Sequence, residues 1–429
     1  MKLNSLEKRT FIYLMLASFC HGFVMSSFQV QDIIAKKALG ALDWQITVLV
    51  MLWPLSNLFS IWWGKILEHS SSIAKYFILT GLVGRLVLIL MLWVTNYYQY
   101  LAILILVFSF NAFISPAQNS ILQNNVTKQN RGNMFGYSAS IVTLVAVFSS
   151  YFAGKMLDVN ETYFRYFFSV VGVFGFLHSI FMSRIKIKKN HNKDKAFISI
   201  KEVIVKPIQR SLEVLKKNHD FAIFQRNYFI YGIAFMILLP AIPKYLVDYL
   251  RMNYSQTFLA KGILSQIGIL FLAPLAGRFF DKRNPALFTS FTYLILSLYP
   301  LFLLISSFFI GTSFVNLIVY TAFFFFSIAM SGIVISWNIS SIFFAQDEDV
   351  SMYQSVHVTL TGLRGIFAPF LGLMIMEVVG VRAVFGLAFF LFLLASCLNF
   401  RLYYHMHEKE WKMSSKAVWG YFRKLFPYN

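Results

Sequence analysis

The residues able to do chemistry in this chain are few, and they sit inside long apolar runs. His21, Met25, Gln29 and Asp32 fall within about 80° of one another at the helical advance of about 100° per residue. His21 and Asp32 are only about 20° apart on that wheel, three turns removed. Histidine titrates near neutrality, and burial can bring an aspartate into the same range, so this pair is suited to carrying protons. Asn111, Ser115, Gln118 and Asn119 form a second polar stripe, and Ser327, Ser331, Asn338 and Ser341 a third, with Trp337 beside it. Tyr228 and Tyr231 mark a more aromatic segment. Such groups can hold a small polar solute by hydrogen bonds; serine and asparagine also serve as glue between membrane helices.

Two arginines lie deep in apolar segments, Arg85 and Arg364, the latter sharing a helix face with His357 and Thr361. A guanidinium stays charged, so each must find a carboxylate, a set of carbonyls, water or an anionic solute. No acid lies at a matching depth, which favours an anionic cargo, with Arg364 and Tyr231 among the residues that would contact it. No Gly-x-x-x-x-Gly-Lys-Ser/Thr loop is present, nor any nucleophile motif. ATP-driven and hydrolytic chemistry are therefore not indicated; no enzyme activity and no cofactor are expected. His405, His407, Glu408 and Glu410 come nearest to a metal cluster. His405 and His407 point about 200° apart on a helix, so the four do not converge and no metal is expected.

These residues need helices to position them, and the composition says which kind. Of 429 residues, 58% are hydrophobic and 13% charged, against about 25% charged in soluble domains. The apolar runs are too long and continuous for the alternating strands of a barrel, and long enough for helices that cross a bilayer. Six spans are predicted at about Phe11–Ile34, Trp44–Gly64, Tyr76–Val94, Tyr100–Asn124, Met134–Leu157 and Tyr163–Met182. Six more follow at about Phe221–Leu250, Gln256–Phe280, Ala286–Phe308, Thr312–Phe344, Tyr353–Val379 and Ala383–Tyr403. The chain thus divides into a bundle over 1–184, a basic linker over 185–220, a bundle over 221–404 and a basic tail over 405–429. The net charge of +20 does not indicate nucleic acid. Most Lys and Arg fall at the amino terminus, in the even-numbered loops and in the tail, which by the positive-inside rule places both termini and the linker in the cytoplasm. The tail mixes Lys409, Lys412, Lys416, Arg423 and Lys424 with Trp411, Trp419, Tyr421 and Phe422, which suits either a short helix lying on an anionic membrane surface or a disordered solvated tail. Cys20 and Cys397 both fall within spans, so no disulfide framework is implied. The first span lacks a small-residue cleavage pattern and reads as a retained helix.

The two halves echo each other. Gly64-Lys65-Ile66-Leu67-Glu68 follows span two, and Gly277-Arg278-Phe279-Phe280-Asp281, then Lys282-Arg283, follows span eight. Gly277, Asp281 and Lys282 match the signature Gly-x-x-x-Asp-Arg/Lys of the major facilitator superfamily of secondary transporters, which the chain resembles. In the first copy Gly64 stands and Glu68 replaces the aspartate. Arg131-Gly132-Asn133-Met134-Phe135-Gly136 resembles the family's entry into span five. The proline-glycine motif of antiporters is missing from span five, where Ser149 and Ser150 stand. The resemblance implies an all-α membrane protein of twelve transmembrane helices in two pseudo-symmetric six-helix bundles. It implies that spans one, four, seven and ten line a central cavity, and that Arg85, on peripheral span three, bridges helices. It also implies a gating role for Gly64, Glu68, Gly277, Asp281 and Lys282. Gly362, Gly365, Pro369 and Gly372 would let span eleven approach a neighbour closely. The expectation is a monomeric secondary transporter in the cytoplasmic (inner) membrane, moving a small organic solute by alternating access with H+ as coupling ion. Its partners would be the solute and membrane lipids. A non-transporting sensor or assembly protein on the same scaffold is the alternative.

Overall fold

The computed structural model describes residues 3–69, 72–186, 206–281, 284–345 and 350–425, and among these it is helical with no strand. Helix α1 (Ser5–Ala38) starts at an Asn4 cap closed reciprocally by Glu7. This satisfies amide groups that a helix leaves unpaired at its start. The other Glu7 oxygen accepts from the Thr127 amide at 2.9 Å and hydroxyl at 2.8 Å, which ties the start of α1 to the start of α6 (Lys128–Val159). Between them run α2 (Asp43–His69), α3 (Ile73–Gly84), α4 (Tyr97–Asn111) and α5 (Ile114–Asn125). α7 (Phe164–Ser183) completes the first bundle.

Span three is not one α-helix. It passes at Arg85 into a 3-10 segment, Leu86–Trp93. Span four is likewise broken between α4 and α5. Periodicity does not reveal such breaks, because apolar residues continue through both.

The linker contributes one helix beyond expectation, α8 (Lys206–Lys217), which packs against α9 (His219–Lys244) and α14 (Val350–Val378). α9 carries Pro240 and Pro243 and passes into a π-helical turn, Tyr245–Tyr249. Proline removes a backbone donor, and the altered turn follows directly. Span eight is composite: α10 (Tyr254–Phe258), a π segment over Leu259–Leu264 and α11 (Ser265–Asp281). α12 (Pro285–Ser306), α13 (Val315–Ala345) and α15 (Val381–Leu425) complete the second bundle. α15 runs without interruption into the tail, where a separate short helix or a disordered tail was expected; tail side chains from Lys409 lie outside the described residues.

Among the described residues, 11 helical segments are long and apolar enough to cross a membrane; α2, 27 residues long, stands where the remaining one of twelve is expected. The internal repeat is visible in the packing. α1 packs on α6 and α7 as α9 packs on α14 and α15; α3 meets α7 as α12 meets α15; α2 meets α4 as α11 meets α13. Each pairing recurs six spans later. The halves meet where α2 lies on α14 and where α6 lies on α10 and its π segment. A Cβ at Gly262 would come within 2.6 Å of the Ser150 side chain, so the second contact needs a residue without one.

Candidate functional site

Three polar clusters stand out, one on the seam between the halves and one inside each bundle. The seam cluster lies towards the end of the molecule away from the termini. Lys36 of α1 bridges Asp43 at 2.7 Å and Asp248 at 3.0 Å. Lys244 of α9 bridges Asp43 at 2.5 Å and Glu377 at 2.9 Å. Asp43, ahead of the apolar part of α2, is thus clamped by ammonium groups from both halves. Burial alone would raise its carboxyl, but hydrogen bonds and charge from Lys244 and Lys36 outweigh this and hold it below the usual carboxylate range. Lys37 donates to the Met252 carbonyl at 2.7 Å. Asp158 of α6 accepts from the Tyr254 amide at 2.7 Å and the Ser255 amide at 3.0 Å. One half therefore caps a helix start of the other, where a carboxylate is favoured.

Deeper on the same seam, Asp32 pairs with Lys261, and Lys261 lies on the π segment of span eight. The Asp32 side chain is 7% exposed and that of Lys261 16%. Lys36 and Lys37, closer to Asp32 in sequence, are taken by Asp43 and Asp248 and by the Met252 carbonyl. Tyr100 stands beside this pair and donates to the Gln31 carbonyl at 3.0 Å.

The C-terminal cluster is built on Arg364. Its Nη1 donates to the Tyr228 carbonyl at 2.8 Å and its Nη2 to the Thr361 hydroxyl at 3.1 Å. The guanidinium carbon sits 5.4 Å from the Tyr228 ring and 5.8 Å from that of Tyr231, within cation–π range. The side chain passes across Gly232 of α9, in direct contact with the place a Cβ would fill. Tyr231 stacks on Tyr293 at 4.5 Å, and His357 faces Trp337 at 4.2 Å. His357 Nδ1 meets Gln225 Oε1 at 3.0 Å. Arg364 Nε, His357 Nε2 and the Tyr293 hydroxyl are buried without a hydrogen-bond partner. Among the described residues Arg364 has no acidic partner. The face shared by His357, Thr361 and Arg364 was legible from spacing; Tyr228 and Gln225, which complete it from α9, were not placed there.

The N-terminal cluster joins His21, His178, Arg85 and Asn111. The two imidazole rings are 5.0 Å apart, and Arg85 Nη2 donates to Asn111 Oδ1. His21 is thereby drawn toward α7, and Asn111 toward span three. Gln118 donates to the Ser138 hydroxyl at 3.4 Å, which also meets the Ser18 hydroxyl at 2.7 Å; this part of the second stripe joins α5 to α6 and α1. Gln29 is half-buried with Oε1 unpartnered. Trp337 packs on the C-terminal cluster, whereas the Asn338 side chain lies outside the described residues. So do the side chains of Glu68 and Asp281, and the surroundings of Gly64 and Gly277, although all four stand in helices; Lys282 lies outside altogether. Gly365 is pressed on Pro54 and Gly372 on the Ile237 backbone, the close approach expected of span eleven.

Sequence reasoning missed Lys261, Lys244, Asp43 and Asp158. The signal for Lys261 was present: a lone lysine several residues inside the apolar run of span eight. Asp43 and Asp158 look like ordinary loop charges, and Lys244 like a charge near a span end, until the two halves are assembled.

A profile of the Major Facilitator Superfamily matches residues 10–343. No curated protein matches by sequence. Among solved structures, one of a POT family transporter in complex with a thioalcohol-conjugated peptide is similar, with a TM-score of 0.71 at 13% identity, over 91% of this chain and 95% of that one. The nucleoside transporter NupG superposes with a TM-score of 0.67 at 13% identity, over 92% and 99%. A bacterial homologue of the human lysosomal transporter Spinster, inward-facing and unoccupied, gives 0.61 at 13% identity, over 94% and 99%. At these identities the likeness is one of fold. The matched profile covers most of the chain and agrees with the helical pairings repeated across its halves: this multi-pass membrane protein belongs to the Major Facilitator Superfamily.

Proposed function

We propose that the chain is a secondary active transporter of a small organic solute, working by alternating access and coupled to protons through Asp32. The observation that carries this reading is the Asp32–Lys261 pair, a buried carboxylate inside a span that meets its partner from the other half. A proton on Asp32 removes its charge and with it the attraction that holds the two halves together at that depth. Transport by rocking needs breakable contacts of this kind. Of the two groups expected to carry the proton, His21 is turned toward His178 inside its own bundle, so the seam position favours Asp32. The surrounding ion pairs then form a latch on the outer face, with termini and linker in the cytoplasm of an inner membrane, and closing that latch leaves the solute path open to the cytoplasm. Gly64, Glu68, Gly277, Asp281 and Lys282 would form the opposing, cytoplasmic gate.

The solute carries an acidic group in this reading. Arg364 has a permanent charge, no acidic partner among the described residues and an unpaired Nε. Tyr231, Trp337 and Asn338 would supply the remaining contacts on the C-terminal side, and Gln29 and Gln118 those on the N-terminal side. Solved relatives in fold include transporters for nucleosides and for peptides, which supports a small-molecule cargo. The chain works as a monomer and performs no covalent chemistry.

The test is a thermal-shift screen of purified protein against organic acids and neutral metabolites, followed by uptake of the best hit into proteoliposomes with and without an inward proton gradient. An acidic hit whose gradient-driven accumulation is lost in Asp32→Asn supports the reading. Accumulation that ignores the gradient in the wild type would remove the coupling claim.

A further inference from the structure

The N-terminal cluster has features that the transport reading leaves unused. Span three loses its α-helical form at Arg85, where the backbone (φ −128°, ψ −56°) joins α3 to the 3-10 segment. Span four breaks just after Asn111. The hydrogen bond from Arg85 to Asn111 joins the two breaks. His21 enters from α1 and His178 from α7, their rings 5.0 Å apart, and Gly175, one turn before His178, lies against the Arg85 stem. Arg85 is 1% exposed and His178 3%. Arg85 Nη1, His21 Nδ1 and His178 Nδ1 are all buried without a partner.

Asn111 Oδ1 accepts from one arm of the guanidinium, but Nη1 and the two Nδ1 atoms around it have no partner. Arginine cannot give up its proton inside a protein. Each neutral imidazole can place its hydrogen on Nδ1 in one tautomer. Among the described residues Arg85 has no carboxylate partner; the Phe28 ring, 5.6 Å away, offers only a π face. A buried charge without a counter-charge is costly, and in a bilayer water offers little relief. Broken helices at membrane depth are tolerated where they line an ion or solute site.

We propose that Arg85, His21 and His178 form a binding site for one compact monovalent anion, of chloride or nitrate size, inside the N-terminal bundle and separate from the Arg364 cluster. The packing sets the size. Gly175 brings α7 within 3.1 Å of the Arg85 stem, measured from the place of a Cβ. Gly81 sits on Ser179 and Gly84 on Phe110, so α3 is held close to α7 and α4, which favours a compact anion over an organic body. The bound anion neutralises the guanidinium, accepts from both imidazoles and fixes the two helix breaks against each other. This site does not depend on which solute is carried or on proton coupling.

The test uses purified full-length protein in detergent with sodium gluconate as the only salt. Chloride, nitrate or acetate then replaces gluconate at constant ionic strength while Tm is followed. The expected result is a saturable rise of about 3 °C with chloride and nitrate and none with acetate. In His178→Leu, which removes a donor without removing charge, the midpoint should move to about tenfold higher anion concentration. In Arg85→Gln, where it folds, the response should vanish, while Arg382→Gln, at a distant guanidinium, should keep it. Indifference of the wild type to chloride and nitrate, or a midpoint unmoved in His178→Leu, overturns the proposal. A response to acetate equal to that of chloride overturns the inorganic assignment in favour of a carboxylate.

Discussion

At the scale of single residues, the fold depends on a few side chains that no helix propensity would single out. Arg364 reaches across Gly232 because a Cβ there would occupy the guanidinium's own position. Gly232→Ala should therefore expel the arginine or force the helices apart. Overpacking of this kind costs about 1–3 kcal/mol, read as a lower Tm in detergent. Asp32 and Lys261 argue in a different currency. Removing one member of a buried pair leaves the other charge unpaired, at a cost of about 3–5 kcal/mol to the state that buries it. Asp32→Asn combined with Lys261→Met should restore much of that loss. A double-mutant cycle on Tm checks it, and simple additivity of the two single losses would show that the pair is not coupled. The sequence exposed Asp32 through its place on the His21 stripe, and Arg364 through its shared face with His357. It hid their partners, because a pairing between residues 32 and 261 depends on how two bundles meet and leaves no periodic trace.

At the scale of elements, the spans were legible and their interruptions were not. Twelve apolar runs separated by charged loops announce twelve helices, since little else satisfies the backbone in hydrocarbon. The break at Arg85, the break after Asn111 and the π segment carrying Lys261 each hold a polar or charged residue inside a predicted span, but one such residue does not say that the helix changes form there. The capping of α10 by Asp158 makes an element-level prediction. Asp158→Asn should weaken the cap by about 1 kcal/mol, or roughly fivefold in the equilibrium between closed and open seam. Reaction of a cysteine placed at Ser255 with a membrane-impermeant thiol reagent should rise accordingly. The latch at Asp43 sets a pH window. Its carboxyl is held below the usual range in the folded protein, so the stability it adds is fully present above the ordinary carboxylate pKa of about 4. That stability is lost only as pH falls through the depressed folded value. Seam closure should then be insensitive to titration of Asp43 between about pH 5 and pH 8 and weaken below about pH 4. Asp43→Asn should abolish that acid step. A closure that fails near neutrality through Asp43 would contradict the clamp.

At the scale of the whole molecule, two bundles with matching internal pairings are held together at one end by carboxylates and ammonium groups drawn from both. The repeat was visible in the paired Gly64 and Gly277 segments, six spans apart, and the packing repeats it helix by helix. In the proposed cycle Asp32 governs this seam. Asparagine at position 32 stands in for the protonated acid, so it should open the seam without any solute. The most direct measurement places spin labels through Thr95→Cys and Ser313→Cys, both exposed and at the end away from the termini, with Cys20 and Cys397 replaced. The label–label distance distribution is then compared between Asp32 and Asp32→Asn backgrounds at pH 7. One short-distance population is expected with Asp32 intact, and a second, longer one that gains substantial weight in Asp32→Asn. Identical distributions in the two backgrounds would contradict it.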